Sequence, residues 1–117
     1  MKEEIAIFSR KKKIKLTVKR TGFFTKGIGL MFRTAKTDKL LFEFKKDTLA
    51  SITSIFVFFP FLAIWLDEKN NVLEKRIVRP FIFAIRPQKK FRKLVEVPLN
   101  HKNRQIIDFF VEKRRKV

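Results

Sequence analysis

Hydrophobic and polar residues alternate along short stretches of the chain, which is the pattern of half-buried β-strands. Between Lys13 and Lys19, isoleucine, leucine and valine occupy every second position, and lysine or threonine stands between them. We therefore expect one face of this strand in a core and the other, basic face in solvent. Short apolar runs bounded by polar residues or prolines predict further strands at 40–44, 72–78, 81–85 and 94–97.

The longest apolar stretch, Thr48 to Leu66, contains no charged residue. As one helix it would be about 28 Å long, against about 30 Å for a bilayer core, so a membrane-spanning helix is one interpretation. The other is a pair of buried strands, Ile55–Phe59 and Phe61–Leu66. We prefer the strands and expect no membrane span, because Pro60 would break a helix and the residues before it are β-branched or aromatic.

Two segments do not follow the strand pattern. All three glycines lie between Thr21 and Arg33, which is typical of a turn followed by a short helix or a loop. Near the C-terminus, the apolar residues of 105–112 suit one face of a helix and equally a strand. Several short strands with one or two short helices predict a mainly β fold, a small single-domain β barrel or sandwich.

Composition is consistent with one soluble domain. The chain has 117 residues, 45% of them hydrophobic, which is enough for a single core. It has no cysteine and one histidine, which excludes disulfides, thiolate metal sites and thiol catalysis. We expect a cytoplasmic protein without cofactor or metal, in which residues 1–12 form a basic lead-in and 112–117 a basic tail.

The chain has 29 Lys and Arg against 11 Asp and Glu, a formal net charge of +18. This excess attracts polyanions such as nucleic acid or anionic lipid, and it also confers solubility. Two clusters combine many cations, one of them around an aromatic ring, as single-stranded nucleic acid requires. The candidate nucleic-acid-binding residues are Arg10, Lys11, Lys12, Lys13, Lys89, Lys90, Phe91, Arg92 and Lys93.

Catalytic motifs are weak. The only imidazole, His101, lies in a polar loop, and no serine has a nucleophile-elbow context, so we expect an exposed histidine. Lys26-Gly-Ile-Gly29 lacks the further residues of a phosphate-binding loop. The carboxylates, Glu96 among them, are scattered without the spacing of a metal site, and we expect most of them on the surface beside cations. No catalytic residue is assigned, and an enzyme is the less favoured interpretation.

Five segments follow one another in an order found in a known family: Gly29-Leu-Met-Phe-Arg33, Leu40-Leu-Phe-Glu-Phe44, Ser51–Pro60 with Ala63–Asp67, Val78-Arg-Pro-Phe81 and Leu94-Val-Glu-Val-Pro98. In these segments the chain resembles the family catalogued as domain of unknown function 192, most closely its small stand-alone archaeal members. The resemblance implies a compact, mainly β domain and brings no reaction or cofactor. The motif positions that it maps are Gly29, Leu30, Met31, Arg33, Phe58, Phe59, Pro60, Arg79, Pro80 and Pro98.

These observations together predict a non-enzymatic binding module. One alternative is a basic protein that binds RNA or DNA through the two cationic clusters and the basic tail. A second alternative is an anion or ligand pocket near Arg33 and Arg79, whose guanidinium groups would be buried there.

Overall fold

A computed structural model describes residues 2–21, 37–54 and 57–111 of the chain. These ranges contain six β-strands and one short helix, α1 (Arg104–Val111), which follows a 3₁₀ turn, His101–Asn103. The strands are β1 (Lys2–Ser9), β2 (Lys12–Arg20), β3 (Leu40–Thr48), β4 (Phe61–Leu66), β5 (Val72–Val78) and β6 (Phe91–Pro98). The fold is mainly β, as the alternating pattern predicts.

The strands form one curled sheet, a half-barrel, in the order β1-β2-β3-β6-β4-β5. Neighbouring strands are antiparallel except β2 and β3, which pair in parallel over two residues. The curl brings the two edge strands together at one point, where Phe8 bridges to Asn71. There the Phe8 amide donates to the Asn70 carbonyl (2.9 Å), and the Asn70 side chain donates to the Ala6 carbonyl (3.0 Å).

The core lies on both faces of the sheet. All six residues of β4 are buried, and alternate side chains enter two different hydrophobic clusters. Phe61, Ala63 and Trp65 join the first cluster, and Leu62, Ile64 and Leu66 join the second. A strand covered on both faces has no polar positions, which explains why this part of the sequence is continuously apolar.

The C-terminal segment is a helix through Val111, which decides between the two alternatives. The Asn100 side chain accepts a hydrogen bond from the Asn103 amide (3.0 Å) and so caps the 3₁₀ turn that leads into α1. The apolar face of α1 then packs on the second cluster, with Phe110 buried among its residues. A helix satisfies its own backbone here and still buries the apolar residues at helical spacing.

The structure confirms the strands predicted at 13–19, 61–66, 72–78 and 94–97, with longer bounds at some ends. It also confirms the strand predicted at 40–44 and corrects the expectation of a basic lead-in. The strand predicted at 40–44 continues to Thr48, although its last pairing, Thr48 with Phe91, follows an irregularity in the register. Residues 2–9, expected as part of the basic lead-in, form β1, because Ile5 and Ile7 lie two positions apart on one face of the strand and pack on the second cluster.

Two predicted strands are absent from the described residues. Residues 57–59 lie in no strand, and neither do 81–85 apart from one isolated bridge between Ile85 and Ile52. Val57 and Phe59 are buried in the first cluster. This burial explains why an irregular segment has an apolar sequence that resembles that of a strand. No helix in ranges 2–21, 37–54 or 57–111 is long and apolar enough to cross a membrane. The glycine-containing segment and the basic tail at 112–117 lie outside the described residues.

Candidate functional site

The turn between β1 and β2 holds two cations in an uncommon backbone conformation. Arg10 and Lys11 both have positive φ, 49° and 68°, between the paired residues Ser9 and Lys12. Two positive φ angles are the mark of a type I′ hairpin turn, for which Asn-Gly is the preferred sequence. Residues with a long side chain are held there at a conformational cost, and such cost is concentrated at functional sites.

This turn borders two adjoining hollows with volumes of about 380 and 470 Å³, which we call the basic groove. Both hollows are lined by Arg10 at the turn, Lys75 on β5 and Phe110 on α1. The sheet's curl explains this meeting, because β1 and β5 are opposite edges of the sheet that touch at Phe8. The remaining polar or aromatic residues that line the groove are Ser9, Lys12, Arg76, Asp108 and Phe109.

Three of the groove's cations are available to a ligand. Arg10, Lys12 and Lys75 are exposed, and within the described ranges none of them forms an ion pair. The only carboxylate that lines the groove among these residues is Asp108, which lies 4.0 Å from Arg104 on its own helix. Unpaired cations that converge on a concave surface attract phosphate or carboxylate groups.

Arg76, the fourth cation, is already engaged. It forms an ion pair with Glu74, donates to the Arg86 carbonyl (3.3 Å) and lies 5.2 Å from the centre of the Trp65 ring. These contacts fix the guanidinium group against the first cluster. We therefore assign Arg76 to the wall of the groove and not to its ligand-binding cations.

The structure places two residues of the predicted cationic cluster at 10–13 in the groove. It leaves the predicted cationic cluster at 89–93 outside the groove. Arg10 and Lys12 line the groove, while Lys11 and Lys13 are exposed beside it in the chain. The sequence analysis missed Lys75. Its only local signal is that it occupies an exposed position of an alternating strand, because its place in the groove depends on how the sheet curls.

The predicted cationic cluster at 89–93 does not form an aromatic platform on which bases could stack. Phe91 was expected to stack on a base, but it is 0% exposed and its ring meets Phe44 edge-on at 5.3 Å. That prediction is wrong, because Phe91 begins a buried strand. Arg92 is paired with Asp47 (3.1 Å) and Lys93 donates to the Asn70 side chain (2.7 Å). Lys89 and Lys90 are exposed.

The expected pocket at Arg33 and Arg79 is not supported. Arg79 is exposed, so the expectation of a buried guanidinium group is wrong for this residue, and Arg33 lies outside the described residues. Of the other family-motif positions, Phe59 and Pro98 are buried, Pro60 and Pro80 are half-buried, and Phe58 is exposed. Gly29, Leu30 and Met31 also lie outside the described residues. His101 is exposed in the 3₁₀ turn.

Glu96 differs from the expectation of a surface carboxylate. It is 5% exposed on the central strand β6, where its Cα lies opposite Leu40 on one side and Ala63 on the other. Burial raises the pKa of this carboxyl to about 8, because the charged form loses its hydration. Glu96 does not line the basic groove. Within the described ranges, no group of three His, Cys, Asp or Glu residues could hold a metal ion.

No protein-family model matches the chain, and no curated protein matches it. Two solved structures resemble its fold. A protein of Sinorhizobium meliloti 1021, crystallised as a "putative transcription regulator", aligns with a TM-score of 0.74 at 15% identity, over 91% of this chain and 86% of its own. A protein of unknown function from Novosphingobium aromaticivorans DSM 12444 aligns with a TM-score of 0.71 at 14% identity, over 90% of this chain and 78% of its own. At these identities the likeness concerns the fold alone.

Proposed function

We propose that this small β-domain protein is a non-enzymatic binding module and that its basic groove binds the phosphate backbone of nucleic acid. The observation that carries the proposal is the meeting of Arg10, Lys12 and Lys75 around two adjoining hollows, whose lining includes one carboxylate, Asp108, among the described residues. Lysine and arginine that neutralise phosphates release condensed counterions, and this release drives binding without regard to base sequence.

Two further observations favour nucleic acid over a small anion. The two hollows adjoin and together exceed what one phosphate needs, and the half-buried ring of Phe109 lines one of them, where an unpaired base could stack. In addition, the Sinorhizobium protein that shares the fold is described as a "putative transcription regulator". We extend that description to this chain only as part of the proposal.

The test is a salt titration of binding to a fluorescently labelled single-stranded oligonucleotide, followed by anisotropy. The Lys12→Gln/Lys75→Gln variant removes two of the groove's cations from exposed strand positions. If both contact phosphates, affinity falls and the slope of log K against log salt becomes shallower by about 1.4, since each contact on a single strand contributes roughly 0.7. The matched control is Lys45→Gln/Lys46→Gln, two exposed cations of β3 that line no part of the groove.

Both variants lower the net charge by two, so a general effect of charge would change them equally. The proposal expects the groove variant to lose affinity and slope and the β3 variant to keep most of both. It fails if the wild-type chain does not bind at about 50 mM salt, if its affinity is flat between about 50 and 200 mM, or if the two variants lose the same amount.

Membership of the family catalogued as domain of unknown function 192 is a second, separate proposal. Its support is that three mapped positions adjoin in one part of the fold: Phe59 and Pro60 lead into β4, and Phe61 pairs with Pro98 at the end of β6. An alignment of homologues tests it. Retention of Phe59, Pro60 and Pro98 together with the family's other motifs would support membership, and free variation at these positions would remove it.

A further inference from the structure

The segment that follows β5 exposes large apolar side chains to solvent. Phe81 is 59% exposed, Ile82 40% and Phe83 78%, and Phe58, itself 59% exposed, lies edge-on to Phe81 with the ring centres 5.6 Å apart. We call these four residues the aromatic patch. Exposed apolar residues are common singly, but a contiguous group of them marks an interaction surface.

The fold holds this patch in place with specific hydrogen bonds. Ser54 is fully buried, and its hydroxyl donates to the Arg79 carbonyl (2.7 Å) and accepts from the Ile82 amide (2.8 Å). The Phe81 amide donates to the Ser54 carbonyl (2.7 Å). Phe81 has a φ of 62°, a conformation that costs energy for an aromatic residue. A strained backbone that presents an exposed ring indicates a binding role.

The charge around the patch identifies the kind of partner. Between Glu74 and Glu96 the sequence has eight lysines and arginines and no acidic residue. Arg79 and Arg86, which stand on either side of the patch in the chain, are both exposed. A second copy of a chain with charge +18 would be repelled. Apolar rings flanked by cations instead complement the headgroup region of a membrane that contains anionic lipid.

We propose that the aromatic patch inserts into the surface of an anionic bilayer, with Arg79 and Arg86 against the lipid headgroups. The chain would then lie on the membrane without crossing it. This inference goes beyond the proposed nucleic-acid function and uses a different surface, so either proposal can fail without the other.

The first test is cosedimentation with vesicles of phosphatidylcholine alone and of equal parts phosphatidylcholine and phosphatidylglycerol. A chain of charge +18 adsorbs to anionic vesicles by charge alone, so the decisive variant must leave the charge unchanged. Phe58→Asn/Phe83→Asn meets this condition at two exposed positions. The control is Phe8→Asn, an exposed phenylalanine of β1 that belongs to neither the patch nor the lining of the basic groove.

We expect the double variant to bind anionic vesicles about tenfold more weakly than the wild type. The reason is that the wild type gains free energy when parts of two phenylalanine side chains leave water for the bilayer, and the variant does not. The Phe8→Asn control should bind like the wild type, and neutral vesicles should bind all three proteins weakly. Equal binding of the double variant and the wild type would overturn the proposal, because charge alone would then account for adsorption. Absence of wild-type binding at low salt would overturn it too.

A second measurement reports on insertion directly. Trp65 is the only tryptophan and is fully buried, so its fluorescence should not change when vesicles are added. In the Phe83→Trp variant the new indole replaces the most exposed ring of the patch, and we expect its emission to shift to shorter wavelength on anionic vesicles. An unshifted emission from vesicle-bound protein would overturn insertion. So would sedimentation equilibrium showing that the wild type self-associates and the Phe58→Asn/Phe83→Asn variant does not, since the partner would then be a second copy.

Discussion

Replacement of Glu96 by glutamine should make the protein more stable, and the gain should increase with pH. Glu96 is buried in the middle of the sheet between Leu40 and Ala63. Burial raises its pKa from 4.5 to about 8, because the charged form loses its hydration. Glutamine has nearly the same shape and cannot ionise, so Glu96→Gln removes the titration and changes little else.

The size of the effect follows from linkage. The folded state keeps a proton on Glu96 that the unfolded chain releases above pH 4.5, so folding loses stability as pH rises from there to about 8. Below pH 4.5 the group has little effect on stability, and above pH 8 its full cost is about 5 kcal/mol at about 1.4 kcal/mol per unit of pKa. Between pH 5 and pH 8 the advantage of the glutamine variant should therefore grow by roughly 3 to 4 kcal/mol.

Urea unfolding of both proteins, followed by the fluorescence of buried Trp65 at pH 5, 6, 7 and 8, measures this difference. Titration of every other group is shared by the two proteins and cancels in the comparison. Glu4→Gln, at an exposed position of β1, is the matched control and should follow the wild type at each pH. Parallel stability profiles for the wild type and Glu96→Gln would refute the reasoning, since they would mean that Glu96 is ionised in the folded state.

Two further variants test the turn and the closure of the sheet. Exchange of Arg10-Lys11 for Asn-Gly suits the positive φ angles of this turn, so thermal unfolding should show that the protein is more stable by about 1 kcal/mol. The same variant should bind the oligonucleotide more weakly. Unchanged affinity would remove the turn from the proposed site. Asn70→Gly should lower the urea-unfolding free energy by about 2 kcal/mol. Glycine removes the hydrogen bonds of the Asn70 side chain with Ala6 and Lys93 and tolerates the positive φ of this position. A loss below about 0.5 kcal/mol would show that the edge strands meet without this contact.

The fold could be predicted from the sequence where local pattern and tertiary burial agree. In β2 and β5 each residue's side of the sheet follows from alternation, and in β4 the continuous apolar run reflects burial on both faces. The pattern misleads where an apolar run is irregular. Val57 and Phe59 are apolar because they cover the first cluster, whereas Phe58 and residues 81–83 are apolar although they are exposed. Composition alone does not distinguish these cases from a strand.

The candidate site was predictable only in part, for a related reason. Runs of cations identify Arg10 and Lys12 because both belong to one short segment. Lys75 stands more than sixty residues further along and reaches the groove only because the sheet curls until its two edge strands touch. The same run-based reasoning favoured Phe91, whose neighbours in sequence are cations but whose ring is enclosed by the core. Sequence proximity of a ring and cations does not establish that they share a surface.

The two proposed surfaces rest mainly on different clusters, although Arg76 in the groove wall also contacts the Trp65 ring and the Arg86 carbonyl. The basic groove is formed against α1, which packs on the second cluster, whereas the aromatic patch extends from residues that pack on the first cluster, such as Phe59 and Ile85. Each surface also includes a residue with positive φ that is not glycine, Arg10 in the groove and Phe81 in the patch. Because β4 is buried from both sides, substitutions at exposed positions of one surface leave the packing beneath the other intact. The groove variants and the patch variants therefore examine independent properties of one stable scaffold.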